Sequence, residues 1–134
     1  MIIRLETDEW DKKNNVGVSI DNPSLEQIME KIDKLDGINE DSISLFKSDD
    51  EFLAIGGGDQ NKCVLSIVTS NKTLELSNGT SNSERVLVSV GGQDGEFPGY
   101  MLVDKALVKE AVIYYYKEGL PNPELEWKEW DGTC

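Results

Sequence analysis

The chain has no histidine among its 134 residues, and that absence bounds its chemistry before any element is placed. A Ser-His-Asp or Cys-His nucleophile, an imidazole base and a histidine-bound zinc are all ruled out. So is the zinc-deaminase signature, which needs a histidine or cysteine two residues before a glutamate and a later Pro-Cys-x-x-Cys. Carboxylates remain. Asp49-Asp50-Glu51, and Asp94 with Glu96, could offer oxygens to Mg²⁺ or Ca²⁺, although neither run has the alternating spacing and distal glutamate of a calcium loop. They read as solvated turns, with a carboxylate-based metal-dependent hydrolase as the alternative. Gly56-Gly57-Gly58-Asp59-Gln60-Asn61-Lys62 has the glycines of a phosphate cradle. It lacks the Lys-Ser/Thr pair and leads into an apolar strand, so it reads as a hairpin turn. Glu96 differs from the other acids because Phe97 and Tyr100 flank it, and carboxylates beside aromatics in a loop suit a protein-binding surface.

The charge balance narrows the partners. There are 26 acidic against 13 basic residues, a net −13. Residues 1–60 hold 15 acids and 6 bases, and residues 61–134 hold 11 and 7. Such a field repels nucleic acid and anionic membranes and draws in basic proteins, with association rates raised ~10- to 1000-fold at low salt. The expected partner is therefore a protein with a basic surface, with no nucleic acid and no membrane.

The element that positions Asp94 and Glu96 is the stretch Glu84 to Gly119, which reads as strand, glycine turn and helix. Val86, Val88 and Val90 alternate on one face of a largely buried strand, with Leu87 on the other, and Gly91-Gly92 end it. Gln93 to Tyr100 reads as a loop. Asp104 is an N-cap, Leu107, Val108, Ala111, Val112 and Tyr115 form one apolar helical stripe, and Gly119 before Pro121 is the C-terminal stop. Of Tyr114, Tyr115 and Tyr116, one or two belong to the core.

Earlier in the chain, Ile2 to Glu6 and Val16 to Ile20 read as a hairpin with its turn at Asn14-Asn15. Asn22 caps a helix with Pro23 at its first position, and Leu25, Ile28, Met29, Ile32 and Leu35 give its buried face, up to Gly37. Short strands follow over Ser42 to Lys47, Glu51 to Ile55, Cys63 to Ser70 and Thr73 to Leu76, joined by turns too short for parallel crossovers. Glu124 to Trp130 reads as a last, edge strand. The fold class is α+β, a meandering antiparallel sheet with two main helices packed on it.

One domain over residues 1–134 is expected, burying ~70% of its unfolded surface. Cys63 and Cys134 do not make a disulfide framework, so both thiols are expected reduced. No segment approaches the ~20 apolar residues of a membrane helix, and the first ten residues hold no apolar signal core, so a cytosolic protein is expected. The runs Phe52 to Gln60 and Val86 to Asp94 both pass from an apolar strand through paired glycines to Asp and Gln. Strands ending at one rim of the sheet would explain the likeness and bring Asp59 and Asp94 to that rim.

The order and spacing of several pieces carry a resemblance. They are the first amphipathic helix, Leu53-Ala54-Ile55-Gly56-Gly57-Gly58, Val88-Ser89-Val90-Gly91-Gly92, the Glu96-Phe97-Pro98 turn, Tyr115-Tyr116-Lys117-Glu118-Gly119, and Leu120-Pro121 to Leu125-Glu126-Trp127. Over roughly Ile20 to Trp130 the sequence resembles the DddI-like immunity proteins of bacterial polymorphic toxin systems, the first-numbered Imm family. The resemblance implies a non-catalytic inhibitor, encoded beside its toxin, that sequesters a toxin domain often of the cytosine-deaminase superfamily. It implies no catalytic residue, and it marks the glycines and Trp127 as determinants of the fold; no cofactor and no metal are expected from the residues. A toxin acting on nucleic acid presents a basic groove, which carboxylates arranged like phosphates could fill. The candidate contacts are Asp94, Glu96 and Tyr100 together with Asp59 and Gln60, and the alternative rim is Asp49, Asp50 and Glu51. An acidic adaptor module without a toxin partner is the bland alternative.

Overall fold

In the computed structural model, which describes residues 2–130, the chain begins β1 (Arg4–Asp11), β2 (Asn14–Asn15), β3 (Ser19–Asp21) and α1 (Leu25–Asp33). It continues through β4 (Glu40–Phe46), β5 (Phe52–Gly57), β6 (Cys63–Val68) and β7 (Thr73–Ser77), then β8 (Arg85–Val90) and β9 (Gln93–Pro98), and closes with α2 (Lys105–Glu118) and β10 (Glu126–Trp130). Eight strands form one antiparallel sheet in the order β10-β7-β6-β5-β4-β1, with β2 and β3 both paired to the remaining edge of β1. Strands β8 and β9 make a separate two-stranded ribbon. The architecture is α+β, as the sequence predicts.

Register explains why one face of the sheet carries the helices. Leu5, Leu45, Leu53 and Ile67 stand in one cross-strand row, and Ile43, Ile55 and Leu65 in the next. Ile28, Ile32 and Leu35 at α1 and Val108, Ala111, Val112 and Tyr115 of α2 close over those rows in a single buried cluster. The opposite face offers Ser44, Ala54, Ser66 and Glu75 in one row, small and polar, and among the described residues no helix packs on it. The buried Tyr115 hydroxyl has no hydrogen-bond partner among the described residues, and burial pushes it up to about 12.

Several local expectations hold. Asp104 accepts a hydrogen bond from the Leu107 amide at 2.8 Å, and Gly119 caps α2 in the left-handed conformation. The Glu30–Lys34 pair forms at 3.4 Å, β10 is an edge strand, and the Trp127 indole donates to the Asn122 carbonyl at 2.9 Å. Cys63 is buried and free, its thiol pushed up to about 11 by desolvation, while Cys134 lies outside the described residues. No helix among the described residues is long and apolar enough to cross a membrane.

Three expectations are corrected. The first hairpin turns at Lys12-Lys13, and Asn14–Asn15 pairs back on Trp10 and Asp11 as a strand. Helix α1 is capped by Ser24, not Asn22. The Ser24 hydroxyl accepts from the Gln27 amide while the Gln27 side chain accepts from the Ser24 amide, and this reciprocal box outcompetes the Asn-Pro start. Gln93 to Pro98 is a strand, because Gly91 and Gly92, at φ 60° and 82°, form a two-residue turn of the kind that folds a chain straight back on itself. The chain thus does not pass from strand to helix by a loop, and β8 is buried on one side only.

Candidate functional site

The ribbon lies where it does because β5 ends in glycines. Gly56 belongs to the row Ser42–Gly56–Val64, on the face away from the helices, and a Cβ there would sit 2.4 Å from Val90 Cγ2. Its bare backbone is the seat for Val90, while Val88 packs at Gly57 and is only 7% exposed. The turn of the ribbon is clamped as well. Asp41, 2% exposed on β4, accepts from the Gly92 amide at 2.8 Å and from the Trp10 indole at 3.0 Å. A buried carboxylate with two donors is satisfied, and it fixes the ribbon to β1 and β4 at once.

With its inner face so held, the ribbon turns Arg85, Leu87 and Ser89 outward, opposite Pro98, Glu96 and Asp94 in register. Leu87 is 66% exposed, an apolar side chain standing between carboxylates. The Ser89 hydroxyl donates to Asp94 Oδ1, which fixes that carboxylate along the ribbon. Across from β8 stands the turn after β5, where Gln60 and Asn61 take left-handed backbone angles and the Asn61 side chain accepts from the Lys105 amide at 2.9 Å. Between the two walls runs a cleft of about 240 Å³, with Asp59, Gln60 and Lys62 on one side and Leu87, Ser89 and Asp94 on the other.

The likeness between the two glycine-ended strands does bring Asp59, Gln60 and Asp94 to one cleft, but not as strands ending at one rim of a shared sheet: β5 belongs to the main sheet and β8 to the separate ribbon packed against it. Glu96 sits two residues along β9 on the same outer face, beside the cleft. Tyr100 does not join them. It lies past β9 in the 3₁₀ turn Gly99–Met101, tied through backbone bonds to Asn78 and Asn82, and the Lys128 ammonium stands 4.6 Å from its ring centroid. Asp49, Asp50 and Glu51 are farther still. They occupy the turn into β5, and the strand's six residues put that turn roughly 20 Å from its glycine end. Asp49 is 91% exposed and 4.0 Å from the Arg4 guanidinium, and Glu51 faces Lys47 at 3.8 Å. The two acid rims are separate surfaces.

Leu87, Ile38 and Lys62 were not among the sequence candidates. Ile38 is 69% exposed beside Gly37, and Gly37 and Ser89 line both the cleft and a neighbouring depression of about 540 Å³ that holds Trp10, Lys12 and Lys13. Leu87 and Ile38 thus flank one continuous surface. The only sequence signal for Leu87 was its place opposite the valine face; for Ile38 there was none. Among the described residues no three Cys, Asp or Glu side chains gather at metal-binding spacing. No protein-family model matches the sequence, and no curated protein matches it either.

Proposed function

We propose that this chain is a cytosolic, non-catalytic inhibitor that binds and blocks a toxin with a basic, nucleic-acid-facing substrate site, in keeping with its resemblance to the DddI-like immunity proteins. A cytosine deaminase is the toxin class the resemblance favours. The observation that carries the reading is the outward face of the ribbon, where a largely exposed Leu87 stands between Asp94 and Glu96, across a cleft from Asp59 and Gln60. An apolar anchor ringed by polar and charged groups is the anatomy of an interface centre. The net −13 supplies the steering and the match to a cationic groove. A standard interface takes ~800 Å² from each partner, about a tenth of the 7627 Å² surface of this chain.

The test is co-expression with the toxin domain encoded in the neighbouring reading frame, which should restore growth and yield a stable complex. Reversing both Asp94 and Glu96 to lysine should weaken that complex roughly 10-fold or more and flatten its salt dependence, mainly through the association rate. Unchanged affinity and slope would move the interface off the ribbon. Turnover of a substrate by the purified chain alone would refute the reading.

A further inference from the structure

Residue pairing in the ribbon shows which of its backbone groups are left over. The Gly99 amide donates to the Glu84 carbonyl at 2.8 Å, so the pair 84/99 is a bonded one. Antiparallel pairs alternate between bonded and unbonded. Counting along the register, 86/97, 88/95 and 90/93 are bonded, while 85/98, 87/96 and 89/94 are not. The N–H and C=O groups of Leu87 and Ser89 therefore point away from β9, out of the free side of β8. Among the described residues none of these four groups has a hydrogen-bond partner. The cleft lies on that side, since Val86, Leu87, Val88 and Ser89 all line it. It is a short open sheet edge with a facing wall.

The geometry points to β-strand addition: an extended segment of the protein partner, carrying a lysine or arginine, enters the cleft and pairs with the free edge of β8. Leu87 and Ser89 would supply two donors and two acceptors to the incoming backbone. Asp59 and Asp94, on opposite walls, would receive the cation, with Lys62 at the rim setting a limit of one or two positive charges. An open edge without protection invites non-specific pairing. Here the acids favour a basic strand over a second copy of this acidic chain, which would bring like charges together. The proposal deepens the inhibitor reading and rests on it.

Proline separates the two. At position 89 it removes an N–H that β9 does not use, together with the hydroxyl that holds Asp94, so Ser89→Ala is the reference: both variants should fold as the native chain does, by circular dichroism, and Ser89→Pro should bind the co-expressed toxin domain roughly 10-fold or more weakly than Ser89→Ala. In wild-type protein, the Leu87 and Ser89 amides should exchange with solvent at least 10-fold more slowly in the complex than alone. That second readout needs no variant. A complex that forms normally while both amides exchange as fast as in the free chain overturns strand addition and leaves the inhibitor reading standing. Failure of the wild-type chain to bind or protect removes both. Concentration-dependent dimers that protect the same amides without any partner would assign the edge to a second copy and overturn the proposal.

Discussion

Gly56→Ala tests how the ribbon is held. The added methyl would sit 2.4 Å from Val90 Cγ2 and 2.7 Å from Cγ1, against 3.4–4 Å for ordinary contact, so Val90 must retreat by about 1 Å. It has nowhere easy to go. Both of its branches meet the new atom, and the turn two residues on is fixed by Asp41 to the Gly92 amide. Overpacking of this kind costs about 1–3 kcal/mol. With a urea slope of about 1–3 kcal/mol/M, the unfolding midpoint should fall by roughly 1 M. The helix-side core should be untouched, because Gly56 lies on the other face of the sheet. Val90→Ala removes both offending methyls and should alone cost about 1 kcal/mol, since the valine is only half-buried. The double variant should then be about as stable as Val90→Ala, not the sum of the two losses. A Gly56→Ala protein with the wild-type midpoint, or strict additivity in the cycle, would refute this packing account.

Two more predictions follow from buried and half-buried carboxylates. Asp41→Ala strands the Trp10 indole and the Gly92 amide and should cost about 2–3 kcal/mol, with faster hydrogen exchange at Gly92 and a change in tryptophan fluorescence; Asp41→Asn should recover part of the loss. Glu40 opposes Glu9 across β1 and β4, with Lys31 3.2 Å from Glu9. Burial and then Glu9 hold the Glu40 carboxyl above the usual range. Burial also opposes ionisation of Glu9, but bonds from Thr7 and Lys31 outweigh it and hold that carboxyl below the usual range. Glu40 binds its proton more tightly folded than unfolded, so it costs stability once pH passes its unfolded pKa, and Glu9 adds stability there. Glu40→Gln should therefore raise the urea midpoint at pH 7, by an amount that solvent screening keeps small, and the gain should vanish as pH falls below the carboxylate range. A pH-independent difference in urea midpoint would contradict this.

The main sheet and both helices were legible because their signals are local and repeated. Alternation from Ile43 to Leu45 and from Leu53 to Ile55 marks strands, the i, i+3, i+4, i+7 spacing from Leu25 to Ile32 marks a helix, and the Asp104 cap and Gly119 stop bracket α2. What was misread depended on competition between neighbours. Ser24 outbid Asn22 because Gln27 stands three residues later, and Gly91-Gly92 made Gln93 to Pro98 a strand although Asp94, Gly95 and Pro98 are poor strand formers. Pro98 is tolerated because it falls at an unbonded position of the ladder, where no amide is needed.

The site was legible in part, for a reason that also says what it is built from. Asp59, Gln60 and Asp94 were linked by a repeated sentence of sequence, apolar strand, glycines, Asp and Gln, and that repeat encodes a real convergence: one glycine end seats the other strand, so the acids that follow each must meet at the same rim. Leu87 could not be found that way. Its exposure follows from the ribbon having only two strands and only one face against the body, and neither fact is written within the ribbon itself. They are written at Gly56 and Asp41, about thirty to forty-five residues upstream, where a missing side chain makes the seat and a buried carboxylate holds the turn. A surface residue whose presentation is decided by distant packing can be lost without touching it. Mutations at Gly56 or Asp41 should thus disarm the ribbon while leaving every one of its own residues in place.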